Sequence, residues 1–176
     1  MSVVAPTADP RLLPVEARVK LVRASGGVLV DLLKNTSVTG DLDLSDLPRL
    51  VRLPPGLSVT GNLDLSLCFS FTRLPSDLRV GGDLRLICCS ALASVPPGLT
   101  IGGTLNLGGC TCLVSLPAGL HVPGRLYLGG CSSLVSLPPD LIVDEHLILR
   151  GSSALKEVPP TVKAKKIVLP DHLKRR

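Results

Sequence analysis

The sequence predicts a solenoid of parallel β-strands, one coil per 21 residues. Three observations predict it: a fixed period of 21, a Leu-x-Leu pair that recurs without exception, and an apolar composition almost free of aromatics. Leu53-Pro54, Leu74-Pro75, Val95-Pro96, Leu116-Pro117, Leu137-Pro138 and Val158-Pro159 open successive units, and Leu32 opens an earlier one that lacks the proline. The unit reads L-P-x-x-L-x-V-x-G-x-L-x-L-x-x-C-x-x-L-x-x. Hydrophobic residues make up 45% of the chain, yet there is no Trp, one Tyr and two Phe, so the apolar mass is Leu and Val. A core of near-uniform aliphatic side chains fits one small unit copied many times.

The Leu-x-Leu pair is Leu42/Leu44, Leu63/Leu65, Leu84/Leu86, Leu105/Leu107, Leu126/Leu128 and Leu147/Leu149. Three residues later stand Leu47, Cys68, Cys89, Cys110, Cys131 and Ser152; three beyond those, Leu50, Phe71, Leu92, Leu113, Leu134 and Leu155. The stretch L-x-V-x-G-x-L-x-L alternates with period two, the pattern of a strand with one buried face. Its central glycine (Gly40, Gly61, Gly82, Gly103, Gly124) permits positive φ or a close backbone approach and marks a corner between two short strands. Each proline, lacking an amide donor, suits an irregular or 3₁₀ return. One coil is therefore one or two short strands and a non-strand return. Only stacking on neighbours, through a parallel ladder of ~4.8 Å spacing, covers its leucines.

Residues 32–157 hold six full repeats. Residues 158–176 form a partial repeat, with Ile167 and Leu169 as its pair, and a basic tail. Residues 1–31 are the N-terminal segment and cap. Within them 12–25 has two readings. A helix is opened by Pro14, places Val15, Val19 and Val22 on one face, pairs Glu16 with Lys20, and is stopped by Gly26-Gly27. A degenerate repeat would instead alternate Val15, Ala17, Val19 and Leu21. The helical cap is preferred, although Arg18 sits awkwardly beside its apolar face. A short turn is expected within Asp171 to Arg176.

The segment L-x-L-x-x-C-x-x-L resembles the strand-and-turn segment of leucine-rich repeats, with Cys in the slot often held by Asn. The L-P-x-x-L-x-V portion resembles the short repeats of bacterial effector proteins, some of which carry a ubiquitin-ligase domain after the repeats. The resemblance covers Leu32 to about Leu169 and implies a leucine-rich-repeat solenoid that binds protein partners on a concave strand face. It implies the recognition domain of a bacterial effector, or alternatively the substrate-recognition part of a larger enzyme such as an effector ligase. In this chain the Leu often found three residues before the pair is replaced by Val at four and Gly at two residues before it.

The formal charge of +5 lies wholly from Lys163 onward, leaving residues 1–162 neutral. No secretory signal or apolar run of membrane-spanning length is visible, which suggests a cytoplasmic location, in the producing cell or in a host after delivery. Six cysteines without such a signal suit a reducing compartment, and Cys68, Cys89, Cys110 and Cys131 are expected as a column of free buried thiols. Neither Cys88-Cys89 nor Cys110-x-Cys112 has metal-site spacing. The doublets Gly81-Gly82, Gly102-Gly103, Gly108-Gly109 and Gly129-Gly130 recur at repeat positions, with no Gly-Lys-Ser/Thr after them, and read as corners rather than phosphate cradles. Asp144-Glu145-His146, with His121 one repeat earlier, has acid-base residue types but no nucleophile motif beside it. The sequence thus points to a binding module without catalysis, metal, cofactor or small-molecule substrate. Its neutral body and scarcity of aromatics disfavour nucleic acid.

The candidate partner-binding positions flank the Leu-x-Leu pair: Asp41/Asp43, Asn62/Asp64, Asp83/Arg85, Thr104/Asn106, Arg125/Tyr127 and His146/Ile148. The first half is acidic, with Asp43, Asp64 and Asp83 read as a row one repeat apart. The second half turns basic and then apolar, with Arg125, Tyr127 and His146 at the centre of the energy. Seven strands at ~4.8 Å with about 10 Å of usable length give roughly 350 Å², below the ~800 Å² per partner of a standard interface, so binding recruits loops or stays modest.

Overall fold

The computed structural model describes residues 9–174, and they form a stack of 21-residue coils, a solenoid of parallel strands with a leucine-rich repeat unit. Each of the first six coils carries two short parallel strands. They are β1 (Ser37–Val38), β2 (Leu42–Asp43), β3 (Ser58–Val59), β4 (Leu63–Asp64), β5 (Arg79–Val80), β6 (Leu84–Arg85), β7 (Thr100–Ile101) and β8 (Leu105–Asn106). They continue as β9 (His121–Val122), β10 (Leu126–Tyr127), β11 (Ile142–Val143) and β12 (His146–Ile148), and the seventh coil adds β13 (Lys166–Val168). The even-numbered strands and β13 make one seven-stranded sheet. Its register places Leu42, Leu63, Leu84, Leu105, Leu126 and Leu147 in one column. Ile167 pairs with Leu147, so the shortened seventh coil rejoins the ladder one residue early.

The odd-numbered strands do not form a continuous sheet: β1, β3, β5 and β7 pair as four, while β9 and β11 pair separately. The amides of Thr60, Gly81, Gly102 and Asp144 each donate to the preceding coil, at 2.8–3.0 Å. Pro123 occupies the same position and has no amide proton, so the ladder breaks between β7 and β9. The proline-bearing returns are irregular, joined by the isolated bridges Arg52 to Arg73 and Ser94 to Ser115 and by single backbone bonds such as Val135 amide to Val114 carbonyl at 3.1 Å. Among the described residues, 3₁₀ turns occur only at the ends, at Pro10–Leu12, Val30–Leu33 and Asp171–Leu173.

The N-terminal cap is the helix α1 (Val15–Ala24), with Val22 fully buried and Val15 and Val19 packed on the core. Glu16 and Lys20, expected as an ion pair, form none within 4.0 Å among the described residues. The structure explains the awkward Arg18. In the first coil the core column held later by Leu57 and Leu78 contains Thr36, and the Arg18 Nη1 donates to the Thr36 Oγ1 and the Leu32 carbonyl, both at 2.9 Å. A buried hydroxyl thereby finds its partner. Arg23 reaches the exposed edge of β2, donating to the Asp43 carbonyl at 3.0 Å. At the other end, the expected turn is present at Asp171–Leu173, where His172 Nε2 lies 2.7 Å from the Leu155 carbonyl; Arg175 and Arg176 lie outside the described residues.

The turn after each even-numbered strand repeats one strained conformation. Asp46, Leu67, Cys88, Gly109, Gly130 and Gly151 all have φ between 54° and 80°. Glycine adopts this without a Cβ penalty, so three coils carry it and the others tolerate the strain. The cysteine column is fully buried, and all six cysteines are free. Each column thiol donates to the carbonyl of Leu44, Leu65, Leu86 or Leu107 in the coil before, at 3.1–3.2 Å, and Ser152 makes the same bond to Leu128 at 2.7 Å. Burial pushes the Cys89 thiol up to about 12 and that of Cys131 up to about 11, and raises those of Cys68 and Cys110. In native protein at pH 8, a disulfide-exchange reagent should therefore titrate exposed Cys112 and half-buried Cys88 quickly, and the remaining four only on unfolding. Fewer than six thiols in denaturant, or fast reaction of all six in the native state, would refute the column.

Candidate partner-binding face

None of the twelve candidate side chains is buried; all lie on the outer surface of the seven-stranded sheet, because strand alternation turns their Leu neighbours inward. The structure divides them by what they are already bonded to. Asp41 Oδ1 accepts the Asn62 amide at 2.7 Å, Asn62 Oδ1 the Asp83 amide at 2.8 Å, Asp83 Oδ1 the Thr104 amide at 2.8 Å, and Thr104 Oγ1 the Arg125 amide at 3.3 Å. A side-chain ladder thus runs up the corner, each coil satisfying an amide of the next.

That ladder accounts for the glycine column. A Cβ on Gly61, Gly82 or Gly103 would collide with the carboxylate or amide oxygen of Asp41, Asn62 or Asp83, and one on Gly124 would lie 2.8 Å from Thr104 Oγ1. Of the two reasons offered for these glycines, close approach holds for these four; Gly40, with φ of 84°, has the positive φ. The ladder stops at Arg125, which has no acceptor to offer. The next coil has Glu145 where the others have Gly, and Arg125 Nε donates to Glu145 Oε2 at 3.1 Å.

The second column is partly engaged too. Asp43, Asp64 and Asn106 turn their side-chain oxygens onto the amides of Ser45, Ser66 and Gly108, at 2.8, 2.8 and 3.0 Å. Partial burial alone would raise the Asp43 carboxyl, but the Ser45 hydroxyl and amide, with Arg23 beside them, hold it below its ordinary value. The row of Asp43, Asp64 and Asp83 needs correction. The residue beside Asp64 in register is Arg85; Asp83 belongs to the corner column and is paired with Arg85 at 3.2 Å. The acidic half is largely occupied with its own backbone.

Arg125, Tyr127, His146 and Ile148 carry no such duty. Arg125 Nη1 lies 3.4 Å from the Tyr127 hydroxyl, and Tyr127 and Ile148 are paired residues of adjacent strands. The acid-base run is dispersed: Asp144 faces His121 Nε2 at 3.0 Å on an exposed surface, Glu145 holds Arg125, and His146 joins the strand face. Among the described residues no three His, Cys, Asp or Glu side chains gather as a metal site, and no helix is long and apolar enough to cross a membrane. The sequence signal for the ladder was available in two columns, Gly and Asx/Thr, that end together at Arg125 and Glu145.

No family model and no curated protein matches the chain. Among solved structures, the leucine-rich repeat domain of the type III effector XCV3220 (XopL) is similar at 22% identity, over 84% of this chain and 73% of that one, with a TM-score of 0.41. The chain's own ladders and 21-residue register make it a parallel-strand solenoid.

Proposed function

We propose that the chain is a protein-binding module whose partner docks on the C-terminal half of the seven-stranded sheet, over Arg125, Tyr127, His146 and Ile148. The observation that carries this reading is the end of the side-chain ladder at Arg125: before it the side chains hold the backbone amides of the next coil, whereas the Arg125 side chain bonds only to other side chains, Glu145 and the Tyr127 hydroxyl, among the described residues. Tyr and Arg adjoin there, and both combine large contact area with a polar handle. The repeat resemblance supports a bacterial effector as the setting, with recognition either as the whole task or on behalf of a catalytic domain elsewhere in a longer polypeptide.

Surface-plasmon measurements on a captured partner test it. Tyr127→Ala should raise the dissociation rate by about 30-fold, equivalent to ~2 kcal/mol, with the melting temperature unchanged. Asp64→Asn keeps the acceptor that Ser66 uses, so it should retain binding and alter mainly the salt dependence of association. Binding that survives Tyr127→Ala but is lost on Arg73→Ala would move the working face to the proline-bearing side.

A further inference from the structure

The body of the chain is neutral in sum but not in place. Arg11, Arg18, Lys34 and Arg52 line one cavity of about 570 Å³ at the N-terminal end, between the cap and the first two returns, and Asp31 is the single carboxylate among its lining residues. Asp31 is already engaged by Arg52 at 3.1 Å. Asp9 and Glu16, each two residues from a cavity cation along the chain, do not line the cavity, and the Asp9 carboxylate accepts the Arg11 amide at 3.0 Å. Among the described residues, Arg11, Arg18 and Lys34 have no ion-pair partner within 4.0 Å, so three positive charges share one concavity.

We propose that this cavity is a binding site for a multiply charged phosphate group, carried either by a free polyphosphate or by a small phosphate ester. It lies off the strand face and stands independently of the protein-binding reading. Two of its cations are pre-positioned. Arg18 is tethered by its Nη1 to the Leu32 carbonyl and Thr36 Oγ1, and its Nε is buried without a partner among the described residues. Arg52 is held by Asp31. Fixed guanidinium groups lose little freedom on engaging a ligand, and their planar forks match the paired oxygens of phosphate better than ammonium groups do. Mutual repulsion of the clustered cations makes an anion of two or more charges a stabilising occupant. The volume exceeds that of one phosphate and falls in the range of small-ligand sites.

Calorimetric titration of the full chain with inorganic pyrophosphate, and separately with glycerol 3-phosphate, at constant ionic strength tests the site. The expected result is saturable one-to-one binding with a dissociation constant below about 1 mM. Lys34→Gln/Arg52→Gln should weaken it at least about tenfold. Lys165→Gln/Lys166→Gln, which removes equal charge from the opposite end, should not. Arg11→Gln, at an exposed side chain, gives a second variant should the double one melt early. Tighter pyrophosphate binding assigns a free polyphosphate, and equal or tighter binding of glycerol 3-phosphate assigns an ester. No binding of either by the unaltered chain, binding untouched by the cavity variants, or equal loss in the C-terminal pair would overturn the proposal.

Discussion

Leu105→Asp should leave no folded protein at room temperature. Leu105 is completely buried in β8, paired with Leu84 on one side and Leu126 on the other, both also completely buried. Losing the leucine removes about 1.5 to 3 kcal/mol of burial. The new carboxylate must either ionise in an apolar stack, at a cost of several kcal/mol, or take up a proton and still lack a hydrogen-bond partner. Together these approach the whole stability of a small domain, about 5 to 15 kcal/mol. The solenoid cannot isolate the damage, because the middle coil covers one apolar face of each coil beside it. Far-UV circular dichroism with a thermal melt decides it, with Leu12→Asp, at a position 82% exposed, as the harmless control. A Leu105→Asp melt within a degree or two of the parent would mean the register is wrong.

The same columns show why so much of the fold was legible. Leu42 through Leu147 and Cys68 through Cys131 recur at one interval, and a parallel ladder converts equal sequence spacing directly into contact. Features that break the period were harder to read. Arg18 meets Thr36 because a polar residue fell into a leucine column of the first coil, and nothing in the repeat pairs those two numbers. Arg11, Arg18, Lys34 and Arg52 come together from unequal intervals across a helix, a 3₁₀ turn and a return, so a charge count along the chain averaged them away.

The candidate face was legible in position and not in use. Alternation alone puts Asp41, Asn62, Asp83 and Thr104 outside, but an exposed side chain can turn down onto its neighbour's amide as readily as out to a partner. What separates the two is local geometry: the acceptor oxygen fits only because the following coil offers a glycine, and where Arg125 replaces the acceptor Glu145 replaces the glycine. The free end of the face is thus defined by where this mutual dependence ceases. Pro123 was equally visible in the sequence, and its missing amide interrupts the odd-numbered strands while leaving the even-numbered sheet whole.

The cap offers the second large effect. Gly26 and Gly27 together stop the helix, and both have positive φ, at 64° and 97°. Their surroundings differ. A Cβ on Gly26 would find only the Pro48 ring, at 3.9 Å, whereas one on Gly27 would lie 2.7 Å from Leu50 Cβ and 2.9 Å from its Cα and amide nitrogen. Leu50 is fully buried, and the Arg49 amide beside it donates to the Gly26 carbonyl at 3.0 Å, so the first coil cannot withdraw without lifting off the helix. Gly26→Ala should then cost only left-handed strain, about 1 kcal/mol. Gly27→Ala should add overpacking to that strain, for about 3 kcal/mol in all and a melting temperature lower by about 6 to 12 °C. Because the cap is what keeps the first coil dry, amides of the first coil should also exchange faster with solvent in Gly27→Ala than in Gly26→Ala. Equal losses from the two substitutions would show that the helix terminus does not press on Leu50 and that the cap docks elsewhere on the first coil.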